Sequence, residues 1–211
     1  MELIHADAAL LVLSKPSGLL AVPGRGPAKQ DCLSGRAQAR YPDALIVHRL
    51  DMATSGLMVM ARGPAAQRVL SQAFACREVL KRYEAVVHGI LEAPPDSEDG
   101  WSRIDLPLVL DWPNRPLQKV DPLHGKPSLT RWRILGRETD ATRVELEPVT
   151  GRSHQLRVHL AALGHPILGD PLYGHEAARF RAGRLLLHAK TLGLSHPESG
   201  EWLAFESPVP F

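Results

Sequence analysis

IVHRLDMATSGLMVMAR, from Ile46 to Arg62, is the stretch on which the reading of this chain turns. A basic residue, Arg49, stands two positions before a carboxylate, Asp51. An apolar run leads in, and Thr54-Ser55-Gly56 leads out into a second apolar run, Leu57 to Ala61. The pattern predicts a strand up to Asp51, a turn, and a second strand. If the lead-in is extended, residues two apart point to one side, so Arg49 and Asp51 share a cleft. An isolated Asp in such a place is usually a turn residue bonding its own backbone, or one half of a structural ion pair. A nucleophilic role asks instead for an ionised carboxylate, held by a cation and partly out of water.

Working outward, the chain has punctuation and periodicity but no repeat and no linker. Ala9–Leu13 reads as a buried strand, Lys15-Pro16-Ser17-Gly18 as a turn, and Pro23–Ala28 as a loop. A helix is predicted over Asp31–Arg40 with Asp31 near its N-cap. A second runs from Pro64 to about Arg77, with Val69, Leu70 and Phe74 as its buried stripe. Tyr83–Leu91, Leu117–Val120, Leu129–Leu135 and Thr142–Glu147 read as strands, Ala93–Gly100 as an exposed hairpin tip, and Ser153–Leu163 as a helix. Leu185–Leu194 and Glu201–Phe205 form a last pair of strands around the turn His196–Gly200. Strands dominate and regular crossovers are missing. The expected fold class is α+β, a mixed, mostly antiparallel central sheet with flanking helices and loops. Residues 1–211 are expected to form a single domain with a substantial core.

Composition narrows the setting. No apolar run reaches the length of a membrane span, and the N-terminus lacks a basic start followed by an apolar core, so no signal peptide or membrane partner is expected. Cys32 and Cys76 form no metal or disulfide pattern and read as reduced thiols, which fits a cytoplasmic location. The net charge is only +2, but its distribution is uneven. Arg62–Ile90 holds five Lys/Arg against two acids, and Trp101–Arg137 holds seven against three. A nearly neutral chain can therefore still turn a basic face to phosphates, although scattered solvated charges would give the same counts.

Two further elements carry chemistry. Lys81-Arg82-Tyr83 opens a strand; a Tyr there is commonly core or rim packing, and otherwise a platform on which a base stacks. Gly151–Leu160 (GRSHQLRVHL) places several His and Arg on one helix. His154 and His159, five residues apart, lie about 140° apart around an ideal helix and cannot face one ion. No HExxH pattern accompanies them, so no metal site is expected. His154 and Arg157, three apart, share a face while Leu156 and Leu160 pack inward.

The Ile46–Arg62 segment closely resembles the active-site signature of the pseudouridine synthases of the RluA/RsuA type. Lys81-Arg82-Tyr83 resembles their second motif, and Gly151–Leu160 with His165–Gly174 (HPILGDPLYG) resembles the third. Lys15-Pro16-Ser17-Gly18 is similar to their early Lys-Pro-x-Gly turn, and Met52-Ala53-Thr54-Ser55-Gly56 is most like the RluA branch. The resemblance runs from about Ala9 to the C-terminus, and the small RNA-binding module that some relatives carry in front is not expected here.

The resemblance implies an RNA uridine-to-pseudouridine isomerase that acts by base flipping and needs no cofactor. It makes Asp51 the nucleophile, Arg157 its ion-pair partner, Tyr83 the stacking platform, Leu156 a pocket residue and Arg49 the residue that fills the space the base vacates. His154, Lys81 and Lys15 are the further residues expected on the RNA side. A structured rRNA or tRNA stem-loop is the expected partner, and the protein is expected to work as a monomer. Three other readings use the same residues. One is a non-catalytic RNA-binding protein, which needs no Asp51. Another is an N-ribosyl hydrolase, for which a second carboxylate is wanted and none is evident in the motifs. A metal hydrolase is opposed by the His spacing.

Overall fold

The computed structural model describes residues 2–93 and 99–211. The chain divides into two compact units, Met1–Lys81 with His188–Pro210, and Arg82–Leu187 with Phe211. Most of the predicted hairpin tip at Ala93–Gly100 lies outside the described residues.

In the first unit, β1 (Glu2–Ala6) pairs antiparallel with β2 (Leu10–Lys15), and β2 pairs antiparallel with β4 (Ser55–Arg62). β4 is buried over all but its last residue, so it reads as a continuous apolar run rather than an alternation. Its other edge is shared. β3 (Ala44–Ile46) pairs antiparallel with residues 60–62, and β11 (Leu187–Ser195) pairs parallel at Ser55 and Gly56. β12 (Trp202–Glu206) is antiparallel to β11. Gly56 must be glycine: its φ is 111°, and a Cβ there would sit 2.3 Å from the Ala189 carbonyl oxygen.

α1 (Leu33–Gln38) is capped by the Cys32 sulfur, which accepts the Gly35 N–H. Asp31 instead pairs with Arg36 through both carboxylate oxygens, so the predicted cap moves by one residue. α2 (Gly63–Cys76) starts where Pro64 predicts and buries Ala66 and Leu70, with Ala73 and Phe74 partly covered. Val69 faces solvent, because the stripe runs 66-70-73-74. Leu10, Val12, Leu57, Val59, Leu70, Leu192 and Leu194 build the core of this unit.

In the second unit, the antiparallel order is β5 (Leu80–His88), β10 (Ala141–Pro148), β9 (Leu129–Glu138) and β6 (Ser102–Asp105). β7 (Leu108–Leu110) and β8 (Gln118–Val120) form a separate hairpin. The helices are α3 (Gln155–Ala162) and α4 (Glu176–Arg179). α3 covers the sheet face that bears Thr130: Gln155 and His159 both hydrogen-bond the Thr130 hydroxyl. On the opposite parity the strands carry charge, paired as Arg131–Glu147, Arg133–Glu145 and Arg143–Glu84, with Arg82, Arg131 and Arg133 all over the Trp101 ring. Part of the basic excess counted in the sequence is thus matched by glutamates on a face that Tyr83, one residue from Arg82, does not share. β1, β6, β7 and α4 had no sequence signal strong enough to be predicted.

Candidate active site

The Asp51 loop leaves the sheet earlier than its sequence suggests. β3 ends at Ile46 and residues 47–54 are irregular, so the two-residue alternation that would align Arg49 with Asp51 does not apply. Arg49 is exposed, Leu50 is buried and Asp51 is half-buried. The Asp51 carbonyl accepts the Thr54 N–H, closing a turn at the head of β4.

This turn is held from several sides. The Gly18 N–H and the Lys15 ammonium both donate to the Met52 carbonyl, at 2.9 Å each, and the Ser17 hydroxyl donates to the Ala53 carbonyl at 2.7 Å. Lys15 also donates to the carbonyls of Pro16 and Leu19 and has no exposed surface. Its expected place against RNA is therefore corrected: the ammonium is spent on backbone oxygens beneath the Asp51 loop. Ser55, also buried, hydrogen-bonds His188 Nδ1 at 2.8 Å, and His188 Nε2 reaches the Ser207 hydroxyl at 3.2 Å.

His48 anchors the loop to β4. Its Nε2 accepts the Val59 N–H at 3.0 Å, and its ring stacks on Phe74 of α2 with centroids 4.4 Å apart. Burial, and then the charge of Lys81, pulls its pKa from 6.5 to about 3. Half-buried Lys81 therefore bears on the segment that presents Asp51.

The second unit arranges the other motif residues. Tyr83 is half-buried on β5, opposite Leu146 of β10. Leu156 is buried on α3. Arg157, only 2% exposed, forms a two-pronged pair with Asp170: Nε to Oδ2 at 2.8 Å and Nη2 to Oδ1 at 2.7 Å. This fork-to-carboxylate match gives both strength and orientation. The same Asp170 oxygen, Oδ1, accepts the N–H groups of Leu172 and Tyr173, so the acid also shapes its own turn. The Arg157 guanidinium lies 5.1 Å from the centre of the Tyr173 ring, whose hydroxyl accepts the Gln118 N–H and hydrogen-bonds His154 Nδ1 at 2.7 Å.

His154 and Arg157 do meet, through Tyr173, but for a different reason than helical spacing. His154 precedes α3 and has a left-handed φ of 57°, so it is not on the helix at all. His159 is buried between Thr130 and the Leu106 carbonyl, and its pKa is lowered, chiefly by burial. Asp170 and Tyr173 are the residues that sequence reasoning passed over. The signal was an Asp-Pro-x-Tyr turn inside the third motif, whose Asp had no assigned partner.

The first unit thus holds an acid on a pinned loop, and the second holds a buried arginine clamped beside an aromatic. The sequence profile of the RNA pseudouridylate synthase family matches residues 9–162. The chain belongs to that family. It is 49% identical over 212 residues to the dual-specificity RNA pseudouridine synthase RluA of Yersinia pestis, covering all of both chains. The RluA of Escherichia coli K12 is equally similar, with 94% of its length covered. These likenesses place the chain on the RluA branch. Among solved structures, human RNA pseudouridylate synthase domain containing 1 superposes with a TM-score of 0.78 at 28% identity, covering 100% of this chain and 84% of that one.

Proposed function

We propose that this chain converts uridine to pseudouridine in both a ribosomal and a transfer RNA stem-loop, with Asp51 as the nucleophile. The reaction breaks the bond from ribose to N1 of uracil and forms one from ribose to C5; N1 gains a proton and C5 loses its hydrogen to solvent. An isomerase of this kind can work with one carboxylate, provided water is kept from the sugar while the base is detached. Arg157 takes part as the basic residue of the third motif, with its Nε–Nη2 edge committed to Asp170. Tyr83 stacks on the extruded base, Leu156 lines its pocket, and exposed Arg49 fills the gap left in the RNA. Lys81 and His154 lie at the RNA-facing margin, and residues 1–211 act together as one catalytic domain. The protein works as a monomer in the cytoplasm.

The observation that carries this reading is the half-buried Asp51 on a loop whose carbonyls are tied down by a buried ammonium. Such a loop spends its binding energy on holding one carboxylate still. Support for two RNA substrates comes from the full-length similarity to synthases named for dual specificity.

The test is tritium release from RNA labelled at C5 of uracil, with Asp51→Asn beside the unaltered protein. The variant should lose turnover by at least about 10⁴-fold with an unchanged melting temperature, and no free uracil should appear with either protein. Normal turnover by Asp51→Asn would end the proposal. Mapping pseudouridine in both RNA classes, from cells with and without the gene, decides the dual specificity.

A further inference from the structure

The edge of β4 that faces away from β2 is occupied at both ends and open in the middle. β3 takes residues 60–62 and β11 takes residues 55 and 56. Val59 is the next position after the β3 ladder stops at Ile46–Met60, and its N–H needs an acceptor in a buried strand. The backbone does not provide one. The imidazole of His48 does, through Nε2 at 3.0 Å. The side chain thus continues the ladder by one rung while the main chain departs, and the departing residues are Arg49, Leu50 and Asp51.

We propose that His48 is a positioning residue for the reaction. Its ring ends β3, replaces the missing backbone acceptor on Val59, and braces against Phe74, which fixes where the chain leaves the sheet three residues before Asp51. The inference rests on the reading of Asp51 as nucleophile. Because Nε2 receives a hydrogen bond, the proton of the neutral ring is on Nδ1. The low pKa, about 3, keeps the ring neutral throughout any usable assay range, so His48 takes no part as an acid or base. What it contributes is direction: an acceptor on one side, a flat ring on the other, and no freedom to swing because Phe74 lies nearly parallel, at 19°. Leu50, buried at 7% exposure, is a second fixed point on the far side of Arg49. With both neighbours anchored, Arg49 is the residue that projects outward.

The experiment measures single-turnover tritium release at saturating RNA, RNA Kd, and amide hydrogen exchange at Val59 and Thr54. Its variants are His48→Phe, His48→Gln and Asp51→Asn. His48→Phe keeps a ring against Phe74 but removes the acceptor. The expectation is a rate at least tenfold lower, an RNA Kd within twofold, and faster exchange at both amides. His48→Gln restores an acceptor at the reach of Nε2, and its rate should return to within threefold of the unaltered protein. If His48→Phe does not fold, His48→Asn, whose shorter amide falls short of Val59, takes its place with the same expectations. A normal single-turnover rate in the acceptor-free variant, or a Gln variant no better than it, overturns the proposal. An active Asp51→Asn overturns the nucleophile reading instead, whatever the His48 variants do.

Discussion

A lysine with no exposed surface is costly to bury unless its ammonium protons find acceptors. Lys15 finds three, at the carbonyls of Pro16, Leu19 and Met52. Lys15→Met would keep the aliphatic stem and leave those oxygens without that donor. The expected loss is about 2–4 kcal/mol, at the scale of one to two buried groups left unsatisfied, read from urea unfolding. The Arg157–Asp170 pair is a second buried charge whose removal strands its partner. Arg157→Ala should cost about 3–5 kcal/mol. Arg157→Lys should recover only part, because a compact ammonium cannot span both oxygens as the planar fork does. Equal stability of the Lys variant would show that the fork geometry is not what holds Asp170. Nothing in the residue types alone separates Lys15 from a solvated lysine or Arg157 from a surface one; the difference is made by what surrounds them.

At the scale of elements, α2 shows how far local rules reach. Pro64 in its first turn was legible because proline's missing N–H costs nothing there. Its far end is less favourable. Arg77 follows the helix with φ 63°, a left-handed conformation in which a Cβ is strained. Arg77→Gly should raise stability by up to about 1 kcal/mol, the left-handed penalty less the entropy of a freer unfolded chain. An increased midpoint in chemical denaturation checks it, with catalysis unaltered. His154, also left-handed, differs: its ring is bonded to the Tyr173 hydroxyl, so its strain is tied to a specific partner. The predicted helix from Ser153 began two residues too early for that reason. β3 likewise falls short of its apolar run because a side chain, not the backbone, meets Val59.

Across the whole molecule, two histidines are held neutral by their surroundings. The pKa of His48 falls to about 3, and that of His159 is also lowered, both mainly by burial. A base whose folded pKa lies below its unfolded value of 6.5 contributes stability above that pH and loses it as the pH drops. For His48, unfolding should therefore become easier between pH 6.5 and about 3, by up to about 1.4 kcal/mol per pH unit, and His159 adds to the effect in the same direction. His48→Gln should flatten that slope, and an unchanged slope would show that His48 is not the group responsible. Further into acid, Asp7 adds its own share. Burial alone would raise its pKa, but the His5 hydrogen bond, the N–H groups of Leu10 and Ala9 and the charge of His196 bring it to about 2. Its contribution is present above 3.8 and disappears as the pH falls through about 2.

By itself the sequence determined the class of fold, the family, and the loop on which the acid stands. These depend on residues close together in the chain: apolar periods, turn residues, and motifs such as Arg49-Leu50-Asp51 and Lys81-Arg82-Tyr83. Only the tertiary structure decided that Asp170 holds Arg157, that Lys15 lies beneath the loop rather than against RNA, and that His48 completes a strand edge. A hydrogen bond between residues 11 apart, or an ion pair between residues 13 apart, has no local signature. Burial and partnership arise when the chain closes on itself and water is excluded, and the same side chain is a solvated charge or a structural pin according to which atoms then surround it.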